Sequence, residues 1–187
     1  MNIGFAMCGS FCTYKQVFPA LEILASVNTV IPIFSMAACT TDTRFGTAAE
    51  HIRRAEEICG TRVLRTIDDV EPIGPKQLLD ALVIAPCTGN TLAKLAHSIA
   101  DGPVTMAAKS HLRNGRPVLI AVSTNDALAG AAENIGKLLG RKHYYFVPFG
   151  QDDPKSKPTS MVADFSKIPA ALEAAMEGRQ LQPVLLR

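Results

Sequence analysis

Four short clusters of hydroxyl, amide and thiol side chains carry most of the chemistry this sequence offers: Cys8-Gly9-Ser10, Ser35, Cys87-Thr88-Gly89-Asn90-Thr91 and Ser123-Thr124-Asn125. Gly9 and Ser10 stand between an apolar run and a helical pattern. Backbone N–H groups and a hydroxyl at such a turn can hold a phosphate, aided by the positive end of the following helix. So short a turn suits a single terminal phosphate, such as that of FMN; it serves equally as a plain structural link. There is no GxGxxG, and no acidic residue closes the second apolar run, so a dinucleotide bound in the usual mode is not expected. Asn90 is the first catalytic candidate. An amide at a helix N-terminus grips a substrate carboxylate or a flavin edge, unless it merely caps the helix. Thr88 and Thr91 face the same choice between ligand and cap.

Lys109, His111, Arg113 and Arg116 form the one compact cationic group. Arginine binds carboxylates in bidentate geometry, and an anionic ligand would need such charges. His111, whose unperturbed pKa lies near neutrality, is the second catalytic candidate, as acid or base. A solvated turn between helix and strand is the alternative for all four. Cys87 precedes a helix N-terminus, where a thiol becomes reactive, or else is a small packing residue. In a late polar segment Asp152 and Asp153 are followed by Lys155 and Lys157, and the segment either folds over a neighbouring site or subunit or stays in solvent.

The elements that must position these residues alternate between strand and helix. Asn2 to Met7 reads as a buried first strand, and Val17, Phe18, Leu21 and Leu24 as one helical face, with Pro19 marking a kink or a late helix start. Asn28 to Phe34 is the second strand. Thr47 and Glu50 form a capping box for a helix ending near Gly60. Further strands are expected at Arg62–Thr66, Ala81–Ala85, Pro117–Val122 and His143–Val147. Leu92, Leu95, Ala96 and Ile99 mark one helix; Leu128, Ala131, Ala132, Ile135 and Leu138 mark another, stopped at Gly140; Ile168–Met176 closes the chain. Gly150–Ser160 reads as a surface loop. Apolar strands separated by helices predict a mostly parallel sheet covered on both faces, with ligands outside the strands' carboxyl ends, where the four clusters fall. Residues 1–187 show no repeat and no linker, so one domain is expected.

Bulk properties narrow the function classes. Of 187 residues, 48% are hydrophobic and 19% charged, an ordinary globular composition, and a net charge of +2 argues against nucleic acid or an anionic membrane as partner. No apolar run approaches the roughly 18 residues that span a bilayer, and MNIGFAMCGS lacks the basic start of a signal peptide. Five cysteines, odd in number and without a CxxC pair, fit reduced thiols in the cytoplasm and no metal site.

The stretch Pro86–Asp101, PCTGNTLAKLAHSIAD, resembles the PASANT motif of the FMN-dependent flavoprotein family, which includes the phosphopantothenoylcysteine decarboxylases. Asn90, Thr91, Ala93, Lys94, Leu95, Ala96, Ile99, Ala100 and Asp101 follow that family's NTxAKLAxGIAD pattern, and Gly9, Ser10, Tyr14 and Lys15 look like its GSIAAYK. The resemblance implies a Rossmann-like three-layer αβα sandwich of about six strands. It also implies FMN as cofactor, contacted by Gly9, Ser10, Ser35, Thr88, Thr91, Ser123 and Asn125. Two departures matter: residues 60–80 contain no histidine, and no cysteine follows Cys87, where the decarboxylases carry catalytic ones. Instead MAAKSHLRNGRPVLIAVSTNDAL and VPFGQDDPKSKPTSMVADF resemble one branch of the family, the B subunits of dipicolinate synthases, over nearly the full length. That branch implies an A subunit as partner, more suited to hold NADP, and oxidation of dihydrodipicolinate to dipicolinate during sporulation. A mother-cell cytoplasmic location and a homo-oligomer are implied too. The alternatives are an FMN-dependent decarboxylase or prenyl transferase, or a non-catalytic partner subunit with a vestigial pocket.

Overall fold

The structure, a computed structural model, describes residues 1–186. Its spine is a parallel sheet built from β1 (Asn2–Met7), β2 (Thr29–Phe34), β3 (Ala81–Cys87), β4 (Val118–Thr124) and β5 (Tyr144–Phe146). The spatial order is β2-β1-β3-β4, with β5 beside the first half of β4. All seven residues of β3 are buried, as a strand covered on both faces requires. Pro32 is tolerated in β2 because that strand lies at the sheet's edge and proline offers no N–H to a ladder.

Two contacting groups of helices cover the sheet: α1 (Tyr14–Val27) with α3 (Ala48–Cys59) and α8 (Ile168–Met176), and α5 (Gly89–Ala96) with α6 (Pro103–Leu112) and α7 (Ala132–Leu139). Short helices α2 (Met36–Thr40) and α4 (Ile67–Val70) fill the β2–β3 connection. The three-layer expectation holds. Thr47 and Glu50 make the expected capping box, and Gly60 ends α3 at φ 66°, a left-handed conformation that suits glycine.

Several boundaries differ from expectation, each for a local reason. Helix α1 begins at Tyr14 and runs through Pro19. Interior proline costs about 3 kcal/mol, but Val17, Phe18, Leu21 and Leu24 are all buried, each contributing about 1.5–3 kcal/mol, so burial wins. Arg62–Thr66 is not a strand: the Glu56 carboxylate takes the Val63 N–H and that of Asp69 takes those of Arg65 and Thr66. Only Leu64 is left to bridge to β2. Helix α5 stops at Ala96, because Ser98 turns left-handed, and Ile99 is exposed. Leu128 and Ala131 precede α7 in a turn whose N–H groups at Ala129 and Ala131 both donate to the Asp126 carbonyl.

The expected loop at Gly150–Ser160 is an antiparallel hairpin, β6 (Phe149–Asp153) and β7 (Lys157–Ala163), closed by Asp153 accepting from the N–H groups of Lys155 and Ser156. It raises the sheet to seven strands. Residues 123 and 124 of β4 pair with β7, so β4 forks between β5 and the hairpin.

Candidate functional site

Strand order reverses between β1 and β3, and the loops after them part to leave a cleft of about 780 Å³ at the carboxyl edge of the sheet. A side chamber of about 340 Å³ adjoins it, and Gly9, Thr88 and Asn90 line both. Every cofactor-binding residue expected from the sequence faces this space. Gly9, Ser10, Thr88, Ser123 and Asn125 line the main cleft, and Ser35 and Thr91 the chamber.

The floor is a rigid hydroxyl network. Ser10 Oγ lies 2.7 Å from Ser123 Oγ, and Thr13 donates to the Ser10 carbonyl at 2.8 Å. The Tyr14 hydroxyl donates to the Cys8 carbonyl at 3.0 Å, fixing the loop from beneath, and burial holds that phenol protonated. Thr91 Oγ1 contacts Cys8 Sγ at 3.3 Å. Burial pushes the Cys8 thiol up to about 11 and Cys87 well above its ordinary value, so neither is a thiolate at neutral pH. Cys87, a chemical candidate from sequence, is a packing residue with no exposed surface.

The choices between cap and ligand resolve residue by residue. Thr88 caps α5, accepting from the Thr91 N–H, and Ser35 caps α2, accepting from the Ala38 N–H at 3.2 Å. Asn90 caps nothing. Its amide makes no hydrogen bond among the described residues, and it is exposed to both chambers. Gly89 leaves room there: a Cβ would stand 2.8 Å from both the Asp126 carboxylate and Thr124 Oγ1, and those side chains would have to shift.

His111 is elsewhere. It is fully buried on the sheet side of α6, with Nε2 3.1 Å from the Pro117 carbonyl, and lines neither chamber. Burial lowers its pKa to about 4, which removes it as an acid or base of the cleft. The expected solvated turn between helix and strand holds for Arg113 and the residues after it, but Lys109 and His111 lie in α6, begun by Pro103 at its first position, with Val104, Ala107, Ala108 and His111 spaced as one face toward the core. The cationic group disperses. Arg116 donates to the carbonyls of Gln77 and Leu79, while Lys109 and Arg113 stand over a different pocket.

Other residues of the cleft carry little sequence signal. Thr43 and Phe45 arrive on a loop closed by paired backbone bonds between Thr43 and Gly46. Asp126 accepts a hydrogen bond from Thr124 Oγ1; its place just beyond the end of β4 is the one clue the sequence holds to it. The hairpin supplies Asp152, Lys157 and Ser160, so the charged segment does fold over the site through two of its four charges. Each cation facing the cleft has an acidic partner: Lys157 with Asp152 at 3.2 Å, Lys94 with Asp101 at 2.9 Å. The donors left for a ligand are neutral hydroxyls, an amide and backbone. That set, in a space of this volume, fits a mononucleotide held by neutral groups.

A family model described as Flavoprotein matches residues 1–159. The chain is 45% identical over 186 residues to the dipicolinate synthase B subunit of Bacillus subtilis (strain 168), covering 99% of this chain and 93% of the relative. A crystal structure of the dipicolinate synthase B subunit from Bacillus halodurans C superposes with a TM-score of 0.91 at 44% identity, covering 100% and 96% of the two chains. The FMN-dependent cysteine decarboxylase SpaF is similar at a TM-score of 0.65 and 25% identity, covering 94% and 97%.

Proposed function

The chain belongs to the flavoprotein family, and from that premise we propose that it is the flavin-binding component of a two-subunit oxidoreductase that forms dipicolinate from its dihydro precursor. The carrying observation is the uncommitted Asn90 amide, which lines both chambers and shares the main cleft with the Ser10–Ser123 hydroxyl pair. Likeness to the Bacillus subtilis relative over 99% of the chain supports the choice of reaction.

FMN, when bound, supplies two-electron redox chemistry. The chain's own residues do the rest. Ser10 and Ser123 offer hydroxyls to the phosphate, and the loop from Cys8 to Thr13 is held still by Tyr14 and Thr13. Asn90 donates its amide N–H to a substrate carboxylate or a flavin edge and so fixes orientation. Asp126 and Thr124 bond to each other beside Gly89 at the start of α5, next to Asn90. On this reading the A subunit holds NADP, and the chain works with it, and with copies of itself, in the mother-cell cytoplasm of a sporulating bacterium. No helix of the described residues is long and apolar enough to cross a membrane.

The purified chain should retain a visible flavin band through gel filtration after FMN is supplied. The ultraviolet absorbance of the aromatic product should rise with the A subunit only when this chain is present. Product formation that is equal without the chain would refute the reading. Asn90→Ala should lower the rate at least ~10-fold, about 1.4 kcal/mol of orientation, with an unchanged melting temperature.

A further inference from the structure

A second pocket, of about 400 Å³, opens between the α5–α6 connection, the outer side of α6 and the turn from α7 into β5. Its character is opposite to that of the cleft. Lys109 and Arg113 reach it from α6 and Arg141 from the α7–β5 turn, and among the described residues no carboxylate lines it. None of the three takes part in an ion pair among the described residues, whereas the cations of the cleft are each matched. Leu95, Ile99, Leu112 and the Tyr144 ring give it apolar walls.

The site is partly preorganised. The Arg141 guanidinium donates to the carbonyls of Leu95 at 3.0 Å and Ala96 at 2.7 Å, which fixes it against the end of α5. Guanidinium carries five N–H donors, so others remain for a ligand. The Tyr144 hydroxyl has no hydrogen-bond partner among the described residues. Burial raises its pKa, with nearby Arg141 opposing the shift, so it stays a donor at neutral pH.

Separate cationic walls around an apolar and aromatic lining suit a small flat ring bearing two separated negative charges. We infer that this pocket is a binding site for an aromatic dicarboxylate, distinct from the flavin cleft. Arg141 and Tyr144 take one carboxylate; Lys109 and Arg113 take the other. The choice of ring rests on the proposed function; the charge requirement rests on the pocket alone.

Calorimetric titration of the chain alone with pyridine-2,6-dicarboxylate tests it, without flavin or A subunit. Saturable binding is expected, weakened at least ~10-fold in a Lys109→Ala/Arg113→Ala variant and unchanged in Arg53→Ala on the exposed side of α3. Both substituted side chains are exposed, so the double variant should keep its melting temperature. Benzoate, with one carboxylate, should bind at least ~10-fold more weakly. Two results would overturn the inference: no binding, or equal binding by the double variant, which would move the ligand to the cleft. Equal affinity for benzoate would overturn the dicarboxylate class. Since neither catalysis nor flavin is measured, failure here is separable from failure of the proposed function.

Discussion

Two residues that look alike as catalytic candidates in the sequence have opposite fates in the fold. Asn90 is free because its neighbour Thr88 has taken the cap, leaving the amide with a choice of ligand. His111 is spent on packing, and its titration has a consequence for stability. Its folded pKa, about 4, lies below the ordinary 6.5, so the unfolded chain binds the proton first as pH falls. Stability is therefore complete above about pH 6.5 and falls toward pH 4, by about 3 kcal/mol for so buried a group. Burial lowers His51 as well, and it adds a loss of the same sign. Thermal unfolding should show a melting temperature that drops from pH 7 to pH 4.5, and His111→Leu should flatten part of that slope. An unaltered slope in the variant would contradict the assignment. Gly89→Ala should displace the start of α5 against Asp126 and weaken FMN binding more than it lowers the melting temperature, by fluorescence titration beside calorimetry.

Elements are legible where one local signal acts alone. Thr47 and Glu50 announce α3 because each satisfies the other's backbone group without tertiary help. Thr47→Ala should thus cost about 1 kcal/mol, or about 2–4 °C in melting temperature, with no effect on FMN affinity. The buried strands β1, β3 and β4 are legible from their apolar runs, and with them the loops that line the cleft. Arg62–Thr66 has the residues of a strand, but carboxylates of the flanking helices, Glu56 before it and Asp69 after it, compete for its N–H groups. The hairpin is hidden because only a few of its residues, Ser160 and Met161 among them, turn inward. Helix α6 carries a signature in Pro103 and the 104, 107, 108, 111 spacing, yet its last turn overlaps a run of charges that reads equally well as a solvated turn. Phe45 and Thr43 have no local signature; their place depends on where the β2–β3 connection lands.

At the scale of the molecule, charge does little for stability. The ion pairs Arg53–Glu57 and Arg54–Glu22 join exposed side chains, and such pairs contribute less than about 1 kcal/mol each. Raising salt from low to about half-molar should shift the melting temperature by less than about 2 °C, because screening removes only these weak pairs. The fork in β4 has a mechanical consequence. Ser123 is at once a rung of the ladder to Val162 and the hydrogen-bond partner of Ser10. A ligand that claims either hydroxyl should therefore reach the hairpin through one residue, while the rungs from Val118 to Ile120 belong to β3 and β5. Filling the cleft should change amide exchange at Met161 and Val162 and leave that at Leu119 and Ile120 as it was.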